Sequence, residues 1–197
     1  LGNYPYPQMT VVASAASKGD GMEYPMFTLL NEPWGNEKML DIIIAHETGH
    51  NWLQATLATN ERNNGWMDEG MNTFLEEKYT RQYYPATAQK RAPKIPEDLT
   101  AVFLQWLYER KWDVPIQVAA DTAVPAFLYA SIYAKAGQWM TKLESQIGAQ
   151  AMQQLMQQYF QQWQFKHPQP TDFLAMAAEA SKQPVDTLLQ TLLEQGP

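Results

Sequence analysis

Residues 42 to 54 read IIIAHETGHNWLQ, placing His46 and His50 four apart with Glu47 directly after the first. On a helix that spacing stacks both imidazoles on one face, one turn apart, where a ring nitrogen from each can reach a single ion at about 2.0–2.1 Å. Asp41 can cap or charge the start of such a helix, and Ile42, Ile43, Ile44, Trp52 and Leu53 supply buried-type residues around it. Gly49 in mid-helix costs about 1 kcal/mol relative to Ala, so it calls for a packing or access reason. A lone histidine on an apolar segment is more often a hydrogen-bonded core residue than a ligand, and two histidines need a third partner to make a metal site.

The chain limits where that partner can come from. It holds no cysteine, so thiolate sites, thiolate catalysis and disulfides are excluded and any metal must be held by His, Asp or Glu. Glu69, in NNGWMDEGMNTFLEEKY, follows His50 by 19 positions. This is room for a helix, a loop and a second helix that packs on the first and returns one carboxylate. Two histidines and one glutamate leave a fourth position for water, as catalytic zinc requires. Asp68 faces about 100° away from Glu69 on a helix and reads as a first-turn charge. Thr73 and Glu76 share the Glu69 face, either as partners of the ligands or as plain helix surface.

The elements that must position these groups are a short strand region and a long helical one. With 197 residues, 45% hydrophobic and 12% aromatic, the chain can bury a substantial core. Residues 1–38 carry Pro and Gly around short runs, MTVVASA and MEYPMFTLL, which read as strands and loops. Residues 39–197 read as a helical, zinc-binding portion, with helices near 41–57, 65–83, 97–111, 123–146, 148–164, 171–181 and 185–195. YYPATAQKRAPKIPED and KHPQP are the Pro-bearing connectors. The Gln-rich GAQAMQQLMQQYFQQWQ keeps apolar residues at three- and four-residue spacing and is expected to be an amphipathic helix with an amide-rich wet face. The fold class expected is therefore α+β, mostly helical, with a short N-terminal strand region.

A net charge of −7 and a pI near 4.9 leave no basic stripe for phosphates, so nucleic acid is not an expected partner. No apolar run approaches a membrane span. The opening LGNYPYPQ, without Met, looks like part of a longer protein.

H-E-x-x-H, 18 residues, then E-G inside WMDEGMNTFLE resembles the aminopeptidase N and leukotriene hydrolase family of zinc metallopeptidases, within the gluzincins. The family's third-ligand context is W-x-N-E-G-F, and this chain carries Asp68 for the Asn and Met71 for the Phe. GDGMEYPMF (19–27) resembles the family's G-x-M-E-N exopeptidase motif, with Tyr24 in the place of Asn. YAKAGQWMTKLESQIG (133–148) resembles the Y-x-K-G stretch that holds its catalytic tyrosine, with Ala136 in the glycine position. The resemblance spans nearly the whole chain. It implies a thermolysin-like catalytic domain, one zinc ion per chain on His46, His50 and Glu69, and peptide substrates. The family's N-terminal β domain and large C-terminal helical domain would be missing flanking partners.

Within that reading Glu47 is the general base and acid. Tyr133 is the hydrogen-bond donor to the oxyanion, with Tyr129, one turn earlier, as its rival. Glu23 pairs with the substrate's α-ammonium group, and Gly21 and Met22 form the substrate-binding strand edge. Removal of N-terminal residues from peptides is the expected reaction. A thermolysin-like endopeptidase and a non-catalytic peptide-binding domain are the alternatives. His167, beside prolines in a connector, is read as structural. Trp52 and Trp66 are read as wedges between the two ligand helices, and the Met and aromatic residues after 120 as core.

Overall fold

The alternation in TVVAS and the apolar FTLLN form strands β1 (Thr10–Ser14) and β3 (Phe27–Asn31), which pair in parallel. The two-residue β2 (Gly21–Met22) pairs antiparallel with β3, giving the order β1-β3-β2. β2 is thus an edge of the sheet. The computed structural model describes residues 1–14, 21–31, 37–85 and 99–193. Most of the YYPATAQKRAPKIPED connector lies outside them.

After the sheet the chain is helical: α1 (Glu37–Leu53), α2 (Glu61–Asn64), a 3₁₀ turn at Gly65–Met67, α3 (Glu69–Tyr83) and α4 (Leu99–Glu109). Next come α5 (Pro125–Tyr129), a π-helical turn (Ala130–Lys135) running directly into α6 (Ala136–Ile147), then α7 (Ala149–Trp163), α8 (Pro170–Ser181) and α9 (Val185–Leu193). The mostly helical α+β class stands. Among the described residues no helix is long and apolar enough to cross a membrane.

Both ends of the expected 41–57 helix move for identifiable reasons. α1 begins at Glu37, not at Asp41, because Asp41 is committed elsewhere: its Oδ2 accepts from the Tyr79 hydroxyl at 2.9 Å and the Tyr84 hydroxyl at 2.8 Å, tying the starts of α1 and the end of α3 together. α1 ends at Leu53 in a turn closed by the Thr56 hydroxyl donating to the Asn51 carbonyl at 2.6 Å.

The main core lies between α3, α6, α7, α8 and α9. Trp66 is fully buried and meets Trp139 and Phe173 edge-on, with ring centroids 5.8 and 6.1 Å apart. The Gln-rich segment is the amphipathic helix expected. Met152, Leu155, Met156, Tyr159 and Phe160 of α7 are buried, while its glutamines face water. Gly148, at φ 88°, makes the sharp turn between α6 and α7 that a residue with a Cβ would strain. Of the two expected wedges between the ligand helices, Trp66 turns its ring to Trp139 on α6 and Phe173 on α8, and Trp52 meets Tyr4 edge-on at 5.2 Å while its indole donates to the Gly2 carbonyl, holding the N-terminal segment.

Candidate active site

α1 is unusual in what it buries. Its inward residues are Ile43, Glu47, His50, Asn51 and Leu53, so a polar stripe occupies the face that an ordinary helix fills with aliphatic side chains. The stripe is tolerated because α3 crosses it closely and meets His50 through Asp68, while Asn51 Oδ1 accepts from the Met26 backbone N–H at 2.8 Å and Glu47 faces the Thr28 hydroxyl from the sheet. Gly49 permits the approach: a Cβ there would overlap the Asn72 side-chain oxygen. Asn72, buried on α3, donates from Nδ2 to the His46 carbonyl at 2.8 Å. Gly49→Ala is therefore expected to destabilise the fold by about 1–3 kcal/mol, despite the better helix propensity of Ala, through overpacking at this crossing. Chemical denaturation measures it, and unchanged stability would show that the helices can separate freely.

The crossing brings three predicted groups together. His46 Nε2 and His50 Nε2 lie 3.2 Å apart, and Glu69 Oε2 lies 3.4 Å from the first and 3.3 Å from the second. Ligand atoms of a tetrahedral ion at about 2.0–2.1 Å stand about 3.3 Å from one another, so this triangle has the required edges. The buried Glu69 Oε2 faces both Nε2 atoms at long range, 3.3 and 3.4 Å, a spacing that suits a shared cation better than a well-aligned hydrogen bond. Positive charge is favoured here: burial opposes protonation of His46, yet hydrogen bonds to Glu69 and Glu76 hold its ring up at about 9. Burial likewise opposes ionisation of Glu69, and His46, His50 and Tyr133 together outweigh it and hold the carboxyl low. His46, His50 and Glu69 fit a divalent metal.

The outer nitrogen of each histidine is also engaged. His46 Nδ1 donates to Glu76 Oε2 at 2.9 Å, and His50 Nδ1 donates to Asp68 Oδ1 at 2.7 Å. These bonds fix both rings with Nε2 toward the shared point. Glu76 thus partners a ligand-type histidine, whereas the Thr73 hydroxyl has no partner among the described residues. The expectation that Asp68 is a first-turn charge facing away from the ligand cluster is wrong. The 3₁₀ turn at Gly65–Met67 delays the start of α3, and Asp68, at the N-cap, turns inward and is only 1% exposed.

Glu47 is buried beneath the sheet edge. Gly21 lies so close that a Cβ there would overlap its carboxylate, which is the reason for glycine at this point of β2. Burial pushes the Glu47 carboxyl up to about 7, with His46 and His50 pulling the other way. A group poised there can both take and return a proton near neutral pH. Met22, next along β2, is 40% exposed and accepts at its carbonyl from the Thr28 hydroxyl. Glu23 follows the strand, and a carboxylate oxygen of it lies within 4.8 Å of ligand atoms of His50, Asp68 and Glu69.

Tyr133 reaches the cluster from the π-helical turn. Its ring lies parallel to His46, 15° from coplanar with centroids 6.1 Å apart, and its hydroxyl hydrogen-bonds to Glu69. Burial, then Glu69, raise the phenol strongly, so it stays a donor. Tyr129 stacks on Tyr133 at 4.1 Å on the outer side and is 58% exposed. His167 lies away from this cluster, its Nδ1 against the Ala58 carbonyl.

An H-E-x-x-H helix crossed by a glutamate-returning helix, under the edge of a small sheet, defines a thermolysin-like metallopeptidase fold. The chain belongs to peptidase family M1, whose domain model matches residues 2–192. Relatives include aminopeptidase M1-A of Oryza sativa subsp. japonica, 22% identical over 98% of this chain and 23% of that protein. Human glutamyl aminopeptidase is 24% identical over 98% of this chain and 21% of its own length. The chain thus spans less than a quarter of these curated relatives. In structure it is similar to a glutamate-to-alanine mutant of the M1 zinc metallopeptidase of Deinococcus radiodurans bound to a Tyr-Ser-Ala substrate, with a TM-score of 0.71 and 16% identity over 97% of this chain and 40% of that one. That likeness shows the fold.

Proposed function

We propose that the chain is the catalytic domain of a zinc-dependent aminopeptidase, formed by the strand and loop portion (1–38) and the helical portion (39–197). The observation that carries this is the triangle of His46 Nε2, His50 Nε2 and Glu69 Oε2, with edges of 3.2 to 3.4 Å, beside a buried Glu47. One zinc ion held there supplies a Lewis acid and an acidified water at neutral pH.

The chain's own groups do the rest. Glu47 accepts the proton of the attacking water and delivers it to the departing amine. The Tyr133 hydroxyl donates to the oxygen that becomes negative as the carbonyl is attacked. A peptide lying along β2 pairs with the backbone of Gly21 and Met22 by strand addition. Glu23 meets its α-ammonium group, which sets the first peptide bond over the cleft; a carboxylate so close to the ligand cluster also leaves no acyl residue a favourable place on that side. The extra length of the relatives would correspond to flanking domains that complete the cleft.

The test compares peptides with free and N-acetylated termini in the full-length protein, with Glu23→Ala alongside. Free termini should be preferred, and Glu23→Ala should weaken kcat/KM for them by roughly 10- to 150-fold, the value of a charge-assisted hydrogen bond. Equal cleavage of both peptides would make the protein an endopeptidase and leave Glu23 structural. Zinc binding without hydrolysis of any peptide would leave only a peptide-binding domain.

A further inference from the structure

Two residues beyond Tyr133 a lysine runs inward instead of to water. Lys135 is 6% exposed, and its ammonium donates to Asp113 Oδ2 at 2.8 Å and to the Val114 carbonyl at 3.2 Å. Asp113 is buried as well. One turn earlier Ser131, also buried, sets its hydroxyl 2.7 Å from the Pro115 carbonyl and 3.1 Å from that of Val114. Ser131 and Lys135 therefore bracket Tyr133 and between them clasp residues 113–115, meeting at the Val114 carbonyl.

The clasped segment leads back to the ligand helices. Gln117 donates to the Asn63 carbonyl at 3.1 Å and to Asn64 Oδ1 at 2.7 Å, and accepts from the Trp66 indole at 2.7 Å. Residues 63–66 run through the 3₁₀ turn directly into Glu69. One strap, 113–117, thus holds the π-helical turn at one end and the approach to Glu69 at the other.

A buried ammonium–carboxylate pair adds little net stability, because desolvation consumes most of its attraction and an apolar pair of similar volume packs as well. Its return is a defined geometry. A π-helical turn is rare and is frequently found at functional sites, and the one at Ala130–Lys135 carries Tyr133. We infer that Lys135 and Asp113 are positioning residues for the Tyr133 hydroxyl: their pair pins the π-helical turn to the 113–117 strap and so sets the reach of Tyr133 toward Glu69 and the reacting centre. The inference rests on the role proposed above for Tyr133.

A double-mutant cycle in the full-length protein tests it. Lys135→Met with Asp113→Leu should fold, keep its zinc content, and lower kcat about 10²-fold with little change in KM, the scale of a displaced catalytic group. In a Tyr133→Phe background the same replacement should change kcat by less than about twofold, since no hydroxyl remains to misplace. An equal loss in both backgrounds, or no loss in either, overturns the inference. Should the apolar pair fail to fold, Lys135→Met alone, which removes the donor to Asp113 and to the Val114 carbonyl, carries the same cycle. Fluorine NMR of 3-fluorotyrosine at position 133 gives a readout independent of turnover: its resonance should shift in the pair variant. Full activity of Tyr133→Phe alone would end the catalytic reading of Tyr133, whereas an unmoved resonance would end the positioning claim.

Discussion

Glu47→Gln is expected to bind zinc with unchanged stoichiometry and to lose peptide turnover by about 10²- to 10⁴-fold. The amide matches the carboxylate in shape, so the close contact with Gly21 survives, and the partner set of His46 and His50 does not include Glu47. What disappears is a group that can take a proton from water and hand it to the leaving amine. Metal analysis, thermal unfolding and kcat on one preparation separate these effects. Activity within a few-fold of the parent would move the base elsewhere, and loss of zinc would mean that Glu47 is a ligand.

Glu69→Ala should weaken zinc binding by more than the 10- to 100-fold that accompanies loss of an outer hydrogen-bond partner. Glu76→Gln, which touches the metal site only through His46 Nδ1, should fall within that range. The comparison is decisive because Asp68, Glu69 and Glu76 all lie on one helix turn or two and all contact a histidine. Competition with a chelator of known affinity measures both variants against the parent. If Glu76→Gln costs as much as Glu69→Ala, or if Glu69→Ala keeps parental affinity, the third ligand has been misassigned. Zinc-dependent stabilisation against heat should vanish in Glu69→Ala for the same reason.

Much of this site was legible in the residues because its chemistry follows local periodicity. The i, i+4 histidines need only a helix to converge, and the distance to Glu69 needs only a second helix packed on the first. The Gln-rich α7 was legible for the same reason, since Met152, Leu155, Met156, Tyr159 and Phe160 mark one face. The parts that escaped depend on contacts between distant segments. Asp68 precedes a helix, where acids are ordinarily solvated, and only the 3₁₀ turn before it rotates the carboxylate onto His50. Asn72 carries no signal of its own until Gly49 is set against it from another helix. Asp41 looked like a cap because nothing in its neighbourhood shows Tyr79 arriving from α3 and Tyr84 from just beyond its end. The π-helical turn under Tyr133 is likewise held by the strap at 113–117 and has no local signature in ASIYAK.

The central claim is that His46, His50 and Glu69 share one zinc ion, and the most direct measurement is anomalous scattering at the zinc edge from crystals of the zinc-saturated protein. The account predicts one peak per chain, about 2.0–2.2 Å from His46 Nε2, His50 Nε2 and a Glu69 carboxylate oxygen, with Asp68 and Glu76 still on the outer nitrogens. A peak ligated by Asp68 or Glu23 in place of Glu69, or no peak at this triangle in saturated crystals, would contradict it.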